Sequence, residues 1–431
     1  MGRSVQTLPE MPVARLGIRF LEMLLQDCQS ANFQVRWWDG STWGSDKQPR
    51  FTLVINHPAA LRAMLLAPSE LSLGEAYIHG DLDIEGDVES AMELRDYLIQ
   101  QRVSAHKKWL LTNLLRLLPA STLPKRPPAN LSGSIHSKDR DRQAIGYHYD
   151  YPPEFYALWL DRHMVYSCAY FAEGKEDLDT AQTRKLDLIC RKLRLRRGDR
   201  FLDIGCGWGG LVMHAAAHYG VHSVGITISV PQAERARQSI RESGLESRCR
   251  VEVCDYRDVA PEQPYDKIAS VGMFEHVGRA LLPEYFRRAA ELLMPGGLFL
   301  NHGIATSATY QRIGPSFADR YVFPDGELLP IHDTLRAAET SGFEVRDVES
   351  LREHYALTLR HWVRNLENHA EEARRITDET TYRVWRIYMC AAAHRFQKGH
   401  LNVYQTLLSK CAGGHSGLPL TREYLLPSDA G

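Results

Sequence analysis

The chain has 431 residues, enough for two or three domains and a large buried core. Its 52 Lys and Arg nearly balance 53 Asp and Glu, so a global charge for nucleic acid is absent and any affinity for anions or membranes must come from a local patch. Eight cysteines without a CxxC pair argue against a zinc knuckle or disulfide framework and for a reducing cytoplasm.

The start, Met1 to Gln6, lacks the Ser or Thr at position six that myristoylation wants, and the helical stretch around Leu16 to Leu25 is broken by Arg19 and Glu22, so no signal peptide is expected. No run of about 18 apolar residues occurs. Residues 1–118 read as a small α+β domain, expected to associate with lipid. An amphipathic helix spans 12–30, short strands lie at Phe33–Trp38 and Phe51–Ile55, and a helix covers Pro58–Leu66. Leu73–Asp87 is rich in Gly and Asp; its spacing does not match a calcium loop, so it reads as a turn-rich connection into a helix at Val88–Gln100. Arg102–Leu118 sets Lys107, Lys108 and Arg116 beside Trp109 and several leucines, which suits either an anionic bilayer or packing on the protein itself. Residues 119–143, with four prolines and the run Lys138-Asp139-Arg140-Asp141-Arg142, read as a mobile linker.

Residues 144–431 form the expected second domain. After a helix at Asp177–Leu193, Phe201-Leu202-Asp203-Ile204-Gly205-Cys206-Gly207-Trp208-Gly209-Gly210 reads as strand, glycine turn and helix. Strands follow at His222–Thr227, Arg250–Asp255, Lys267–Gly272 and Gly297–Gly303, with helices at Pro231–Ser243, Leu281–Leu293 and His332–Ser341. This alternation predicts an α/β, Rossmann-like parallel sheet with its ligand at the C-terminal strand ends. Tyr310–Leu329, carrying Tyr310, Phe317, Tyr321 and Phe323, reads as a lid over an apolar substrate, and two helical runs at 354–376 and 380–398 follow. Leu418–Tyr424 suits an edge strand.

Gly205, Gly207 and Gly210 fit the dinucleotide template, but Asp203 would oppose a pyrophosphate and suits an ammonium group. The next strand ends Thr227-Ile228-Ser229 without the carboxylate that a dinucleotide ribose wants. A cationic, amine-bearing nucleoside fits better, and S-adenosylmethionine is the common one. Thr227 and Gln232 are placed to hold the ribose, and Asp255, Tyr256 and Arg257 to bind and stack the adenine. Glu275 and His302 stand at further strand ends. Metal is a competing use of Cys168, Glu275 and His302, but no close ligand pair such as HxxxH supports it.

From about 146 to 410 the chain resembles the cyclopropane fatty acid synthase family, which includes the mycolic acid cyclopropane synthases. The blocks are His148-Tyr149-Asp150, Tyr166–Phe171, Leu202–Gly210, Gly225–Ser229, Gly272–Gly278, Tyr321-Val322-Phe323-Pro324 and Tyr355 ahead of Leu357-Thr358-Leu359. The N-terminal 140 residues look like the extra domain of the phospholipid-acting members. The resemblance implies a class I S-adenosylmethionine methyltransferase domain with a helical lid, passing a methyl group to a cis double bond of an unsaturated phospholipid and closing a cyclopropane ring. It implies a bicarbonate held by Cys168, Glu275, His302, the Ile304 backbone and Tyr355. Tyr166, Ser167 and Gly205 fall where the methionine end of the cofactor is held. Aromatic rings such as Tyr170, Phe171, Tyr310 and Tyr321 would tolerate the positive charge. The implied place of work is the cytoplasmic face of the membrane, with peripheral attachment; an assembly of two copies is left open. The alternatives are a methyl- or methylene-branched product, and a lipid-binding homologue without turnover. Two departures stand out: Tyr151-Pro152-Pro153 stands where the family usually has a small polar segment, and Arg346 lies near a position that is often acidic in relatives, a role open to Asp347, Glu349 or Glu353.

Overall fold

The computed structural model describes residues 13–26, 32–45, 47–101, 103–120, 131–149, 151–260, 263–309 and 316–425. Asp150, Tyr310 and the 121–130 part of the expected linker lie outside the described residues. The chain divides into two compact units, one of Met1–Pro128 with Arg312–Phe317 and Glu379–Ala391, the other of Ala129–Gln311, Ala318–Asp378 and Ala392–Gly431.

In the first unit, α1 (Val13–Leu25) precedes β1 (Phe33–Arg36), β2 (Thr42–Gly44), β3 (Phe51–Ile55), α2 (Ala60–Leu65), α3 (Glu70–Ile78), β4 (Leu82–Gly86), α4 (Val88–Gln100) and α5 (Ala105–Leu117). The strands form one sheet in the order β2-β1-β3-β4. Leu73–Asp87 is therefore not a turn-rich connection, because it supplies most of α3 and all of β4. Ser69 and Ser72 close a reciprocal cap at the start of α3. Gly74 sits inside α3 because the Phe317 ring occupies the space where a Cβ would stand, 2.4 Å away. That tertiary contact overrides the local turn signal.

The second unit begins with α6 (Lys138–Tyr149), α7 (Pro153–Ala157) and α8 (Leu178–Lys192). Then come β5 (Arg200–Ile204), α9 (Gly210–His214), β6 (His222–Thr227), α10 (Val230–Glu242), β7 (Cys249–Val253), β8 (Tyr265–Val271), α11 (Leu282–Leu292), β9 (Leu293–Thr306), α12 (Phe317–Tyr321) and α13 (Ile331–Thr340). It closes with β10 (Glu344–Ser350), α14 (Arg352–Asn368), α15 (Ala370–Ile376), α16 (Glu379–Gln397) and β11 (Leu401–Ser409). The residues of α16 up to Ala391 group with the first unit.

The sheet order is β10-β11-β9-β8-β5-β6-β7. β5 to β9 run parallel, whereas β11 is antiparallel to both β9 and β10. β5 is buried on both faces, Phe201 facing one apolar core and Leu202 and Ile204 the other. The edge on that side is β10, with β11 inside it, and not Leu418–Tyr424, which forms no strand. Both strands lie in stretches whose helical neighbours masked them, and β10 alternates exposed and half-buried residues as edge strands do.

The expected linker is also redrawn. Its last part is the start of α6, held by pairs that exposed prolines and serines did not foretell: Arg140 Nε to Asp325 at 2.5 Å and Arg257 Nη2 to Asp141 at 2.9 Å.

Candidate active site

The C-terminal ends of β5, β6, β7 and β8 open on one cavity. It gathers Tyr166, Ser167, Asp203, Gly205, Gly207, Gly210, Thr227, Gln232, Asp255, Tyr256 and Arg257. Gly205 and Gly207 have φ of +81° and +54°. Their reasons differ. A Cβ on Gly207 meets nothing within 4 Å and would stand in the open space of the turn, whereas one on Gly205 would lie 2.7 Å from Met273 Cβ. Gly207 thus keeps ligand space clear, and Gly205 allows the β5 and β8 ends to approach.

Asp203 is buried, with Oδ1 unpartnered, and burial pushes its carboxyl up to about 7 against the opposing pull of Lys185. Thr227 donates its hydroxyl to Gln232 Oε1 at 2.9 Å, which turns the Gln232 amide into a donor for a ribose oxygen. At the far end Asp255 is committed to Arg257: its Oδ1 accepts from Arg257 N and Nε at 2.9 and 2.8 Å, and its Oδ2 from Nη2 at 2.6 Å. Burial would raise the Asp255 carboxyl, but these bonds hold it below its usual range. Tyr256 packs edge-on against Tyr285, at 5.5 Å between centroids, and its buried hydroxyl has no partner.

Three lining groups escaped the sequence reading. Asp141, Ile145 and Tyr149 come from α6, whose first residues, Asp141 among them, fall in the expected linker. Trp208 lines the cavity and packs at a tilt against Tyr156, 4.8 Å between centroids, and Tyr166 lies 5.2 Å from Trp362. The aromatic wall is therefore built by these rings. Tyr170 and Phe171 turn instead to His354 and His361, and Tyr321 is buried in α12. The third is Lys185 of α8, whose polar burial is invisible in an amphipathic helix pattern.

Cys168, Glu275, His302, Ile304 and Tyr355 do not line this cavity. They adjoin it through the backbone: Gly272 N, at the rim, donates to His302 O at 2.9 Å. Glu275 Oε1 accepts from Ile304 N at 2.6 Å, so the Ile304 N–H orients Glu275 and is not open to a second acceptor. Cys168 Sγ reaches Leu351 O at 3.7 Å, and Tyr355 N donates to the same carbonyl at 3.0 Å. Leu351 N binds Val403 O at 2.8 Å, and Val403 pairs with Ile304 across β9 and β11. The five positions thus share one backbone framework. Two side-chain atoms in it are buried without partners, Glu275 Oε2 and His302 Nε2. Burial pushes the Glu275 carboxyl up to about 7 and holds His302 well below its usual range, hence neutral. Burial also pushes the Cys168 thiol far up, which leaves it protonated and a donor, not a nucleophile.

Near Arg346, whose guanidinium pairs with Glu344, the buried Lys192 ammonium reaches Glu349 at 2.5 Å and Asp347 at 3.8 Å. Glu353 pairs with Arg352 instead.

A parallel sheet with one reversed strand next to its last, and a glycine turn opening on a cavity with an acid below it, define a class I S-adenosylmethionine-dependent methyltransferase. Mycolic acid cyclopropane synthase CmaA1, in complex with SAH and CTAB, aligns with a TM-score of 0.59 at 33% identity, over 62% of this chain and 97% of that one. Within the class, the chain belongs to the mycolic acid cyclopropane synthetase family, whose model matches residues 136–406. A domain of unknown function matches residues 20–104. A probable fatty acid methyltransferase of Pseudomonas putida is 41% identical over 395 residues, 90% of this chain and 95% of that protein. Tuberculostearic acid methyltransferase UfaA1 of Mycobacterium tuberculosis is 30% identical over 419 residues, 94% of each.

Proposed function

We propose that this protein transfers the methyl group of S-adenosylmethionine to a cis double bond in an acyl chain of an unsaturated phospholipid and closes a cyclopropane ring. The observation that carries the reading is the pair of buried, unpartnered atoms Glu275 Oε2 and His302 Nε2 adjoining the cofactor cavity. Native proteins rarely leave two such atoms together without a polar occupant.

An alkene is a poor nucleophile, so the site must be dry and must tolerate positive charge. Breaking the methyl–sulfur bond and forming the new carbon–carbon bond leaves a cation on the neighbouring acyl carbon. Loss of a proton from the added methyl frees the electron pair that closes the ring. Tyr149, Tyr166 and Trp208 stand around the cavity, and each ring facing such a cation contributes about 0.5 to 2 kcal/mol.

A small anion would satisfy the orphaned pair. When bound, bicarbonate supplies countercharge and a proton acceptor. Glu275 and His302 would hold it, with Tyr355 and the Cys168 thiol on the α14 side, while the Ile304 N–H fixes the Glu275 rotamer. His302 is itself oriented by Gln405, whose Nε2 lies 3.2 Å from Nδ1.

The lipid would be met at an anionic membrane surface by peripheral contact. On α5, Trp109 and Leu117 are 62% and 68% exposed beside the exposed Lys108 and Arg116. No helix among the described residues is long and apolar enough to cross a membrane.

A second reading, a methyl- or methylene-branched product, is favoured by relatives that match nearly the whole chain, since the names of the two described above are those of fatty acid methyltransferases. The test is expression in a host lacking such activity, followed by mass spectrometry of its fatty acids. A gain of one CH2 with loss of the double bond and of its reduction by hydrogen supports the ring. A retained double bond, or a branched saturated chain, supports the second reading. No new fatty acid, with S-adenosylmethionine still bound, sinks both.

A further inference from the structure

His302 of β9, Gln405 of β11 and Glu349 of β10 stand directly opposite one another in neighbouring strands, so their side chains form one polar row on one face of the sheet. The row begins at the orphaned His302 Nε2. It ends at Glu349, whose carboxylate accepts from the buried Lys192 Nζ at 2.5 Å and from the Tyr170 hydroxyl at 3.3 Å. Gln405, in the middle, is fully buried, and Val403 and Leu407, two residues to either side of it on the same face, are buried and apolar. An amide is costly there unless it is hydrogen-bonded. Its Oε1 has no partner, so the bond that the burial serves is the one its Nε2 makes to His302 Nδ1 at 3.2 Å.

That bond decides where the imidazole proton sits. Burial and the ammonium groups of Lys185 and Lys192 hold His302 neutral, which leaves the ring a single proton. An amide nitrogen can only donate, so Nδ1 is the acceptor and the proton is on Nε2. The orphaned Nε2 is therefore an N–H donor. Glu275 Oε2, the other orphan, accepts when ionised, and the two then offer one donor and one acceptor, as a hydrogen-bearing oxyanion needs. With the proton on Nδ1 instead, both orphans would be acceptors and an anion would find no donor between them.

Resting on the anion reading above, we propose that Gln405 is a positioning residue that fixes His302 as its Nε2–H tautomer and so makes it the hydrogen-bond donor to the bound anion. Gln405 itself touches neither cofactor nor anion; it acts through the ring.

The test is nitrogen NMR of the full chain carrying isotope-labelled histidine, saturated with S-adenosylhomocysteine in carbonate-free buffer. The His302 signals are those absent from His302→Gln. Wild type is expected to show one tautomer, protonated at Nε2 with Nδ1 as a hydrogen-bonded acceptor, and bicarbonate added stepwise shifts the Nε2 signal. In Gln405→Met, which keeps the length of the side chain and removes the donor, the Nδ1–H form appears and bicarbonate affinity falls about three- to tenfold, as loss of one buried hydrogen bond gives. S-adenosylhomocysteine affinity stays within about twofold, because Gln405 does not line the cofactor cavity. A wild-type His302 protonated at Nδ1 overturns the proposal without any variant. A Gln405→Met protein that keeps the single tautomer and its bicarbonate affinity overturns it, and so does one that loses bicarbonate and S-adenosylhomocysteine by the same factor, which shows a structural role. A wild type with the Nε2–H tautomer that does not respond to bicarbonate supports the tautomer assignment and overturns the bicarbonate reading, so the two fail separately.

Discussion

Glu275→Gln separates the chemistry of the anion site from its stability. In the native protein Glu275 Oε1 accepts the Ile304 N–H at 2.6 Å while Oε2 is buried without a partner. Burial pushes the carboxyl from an ordinary 4.5 up to about 7. A carboxyl with a raised folded pKa binds more protons folded than unfolded. Its contribution to stability is complete below 4.5 and is lost as pH rises through about 7. A shift of that size is worth about 3 kcal/mol in full, of which about 2.5 kcal/mol falls between pH 5 and pH 8. Glutamine keeps the acceptor for Ile304 but cannot ionise. The variant should therefore be about 0.8 kcal/mol more stable than wild type at pH 5 and about 3 kcal/mol more stable at pH 8, while turnover collapses. Urea titrations at both pH values, in carbonate-free buffer, measure the difference. A stability gap that stays constant with pH refutes the assignment of the raised pKa to Glu275, and unchanged turnover refutes its role in the site.

Gly207→Ala puts a methyl group into the open cradle at φ +54°, so S-adenosylhomocysteine affinity should drop by more than about tenfold for a stability cost of about 1 to 2 kcal/mol. Gly205→Ala, which drives a Cβ to 2.7 Å from Met273, should cost distinctly more stability in thermal unfolding. Tyr355→Phe should lower kcat by about tenfold or more and leave S-adenosylhomocysteine affinity within about twofold, because Tyr355 does not line the cofactor cavity; equal losses in both would remove it from the anion site. Trp109→Ser with Lys108→Ser should weaken cosedimentation with phosphatidylglycerol vesicles by about tenfold or more, and unaltered sedimentation would rule out α5 as the contact.

Much of the catalytic unit was legible in the sequence because its signals are local. The run ending at Asp203, the Gly205 and Gly207 turn and the Thr227 strand end each carry their backbone requirement within a few residues. Each of these elements lies close to its expected place. The eleven cofactor-site candidates face one cavity because a parallel sheet brings successive strand ends to one rim. Other features depended on contacts far apart in the chain. Phe317 packs where a Cβ on Gly74 would stand, and residues 138–142 open a helix held by ion pairs to Asp258, Asp325 and Arg257. Asp255 and Arg257 spend their polar groups on each other, and the Ile304 N–H is taken by Glu275, neither of which a list of candidate residues reveals. The orphaned atoms of Asp203, Glu275 and His302 exist only in the folded protein. Sequence determines which groups reach a strand end; only the packing determines which of them are left without a partner, since burial removes the water that would otherwise satisfy them all.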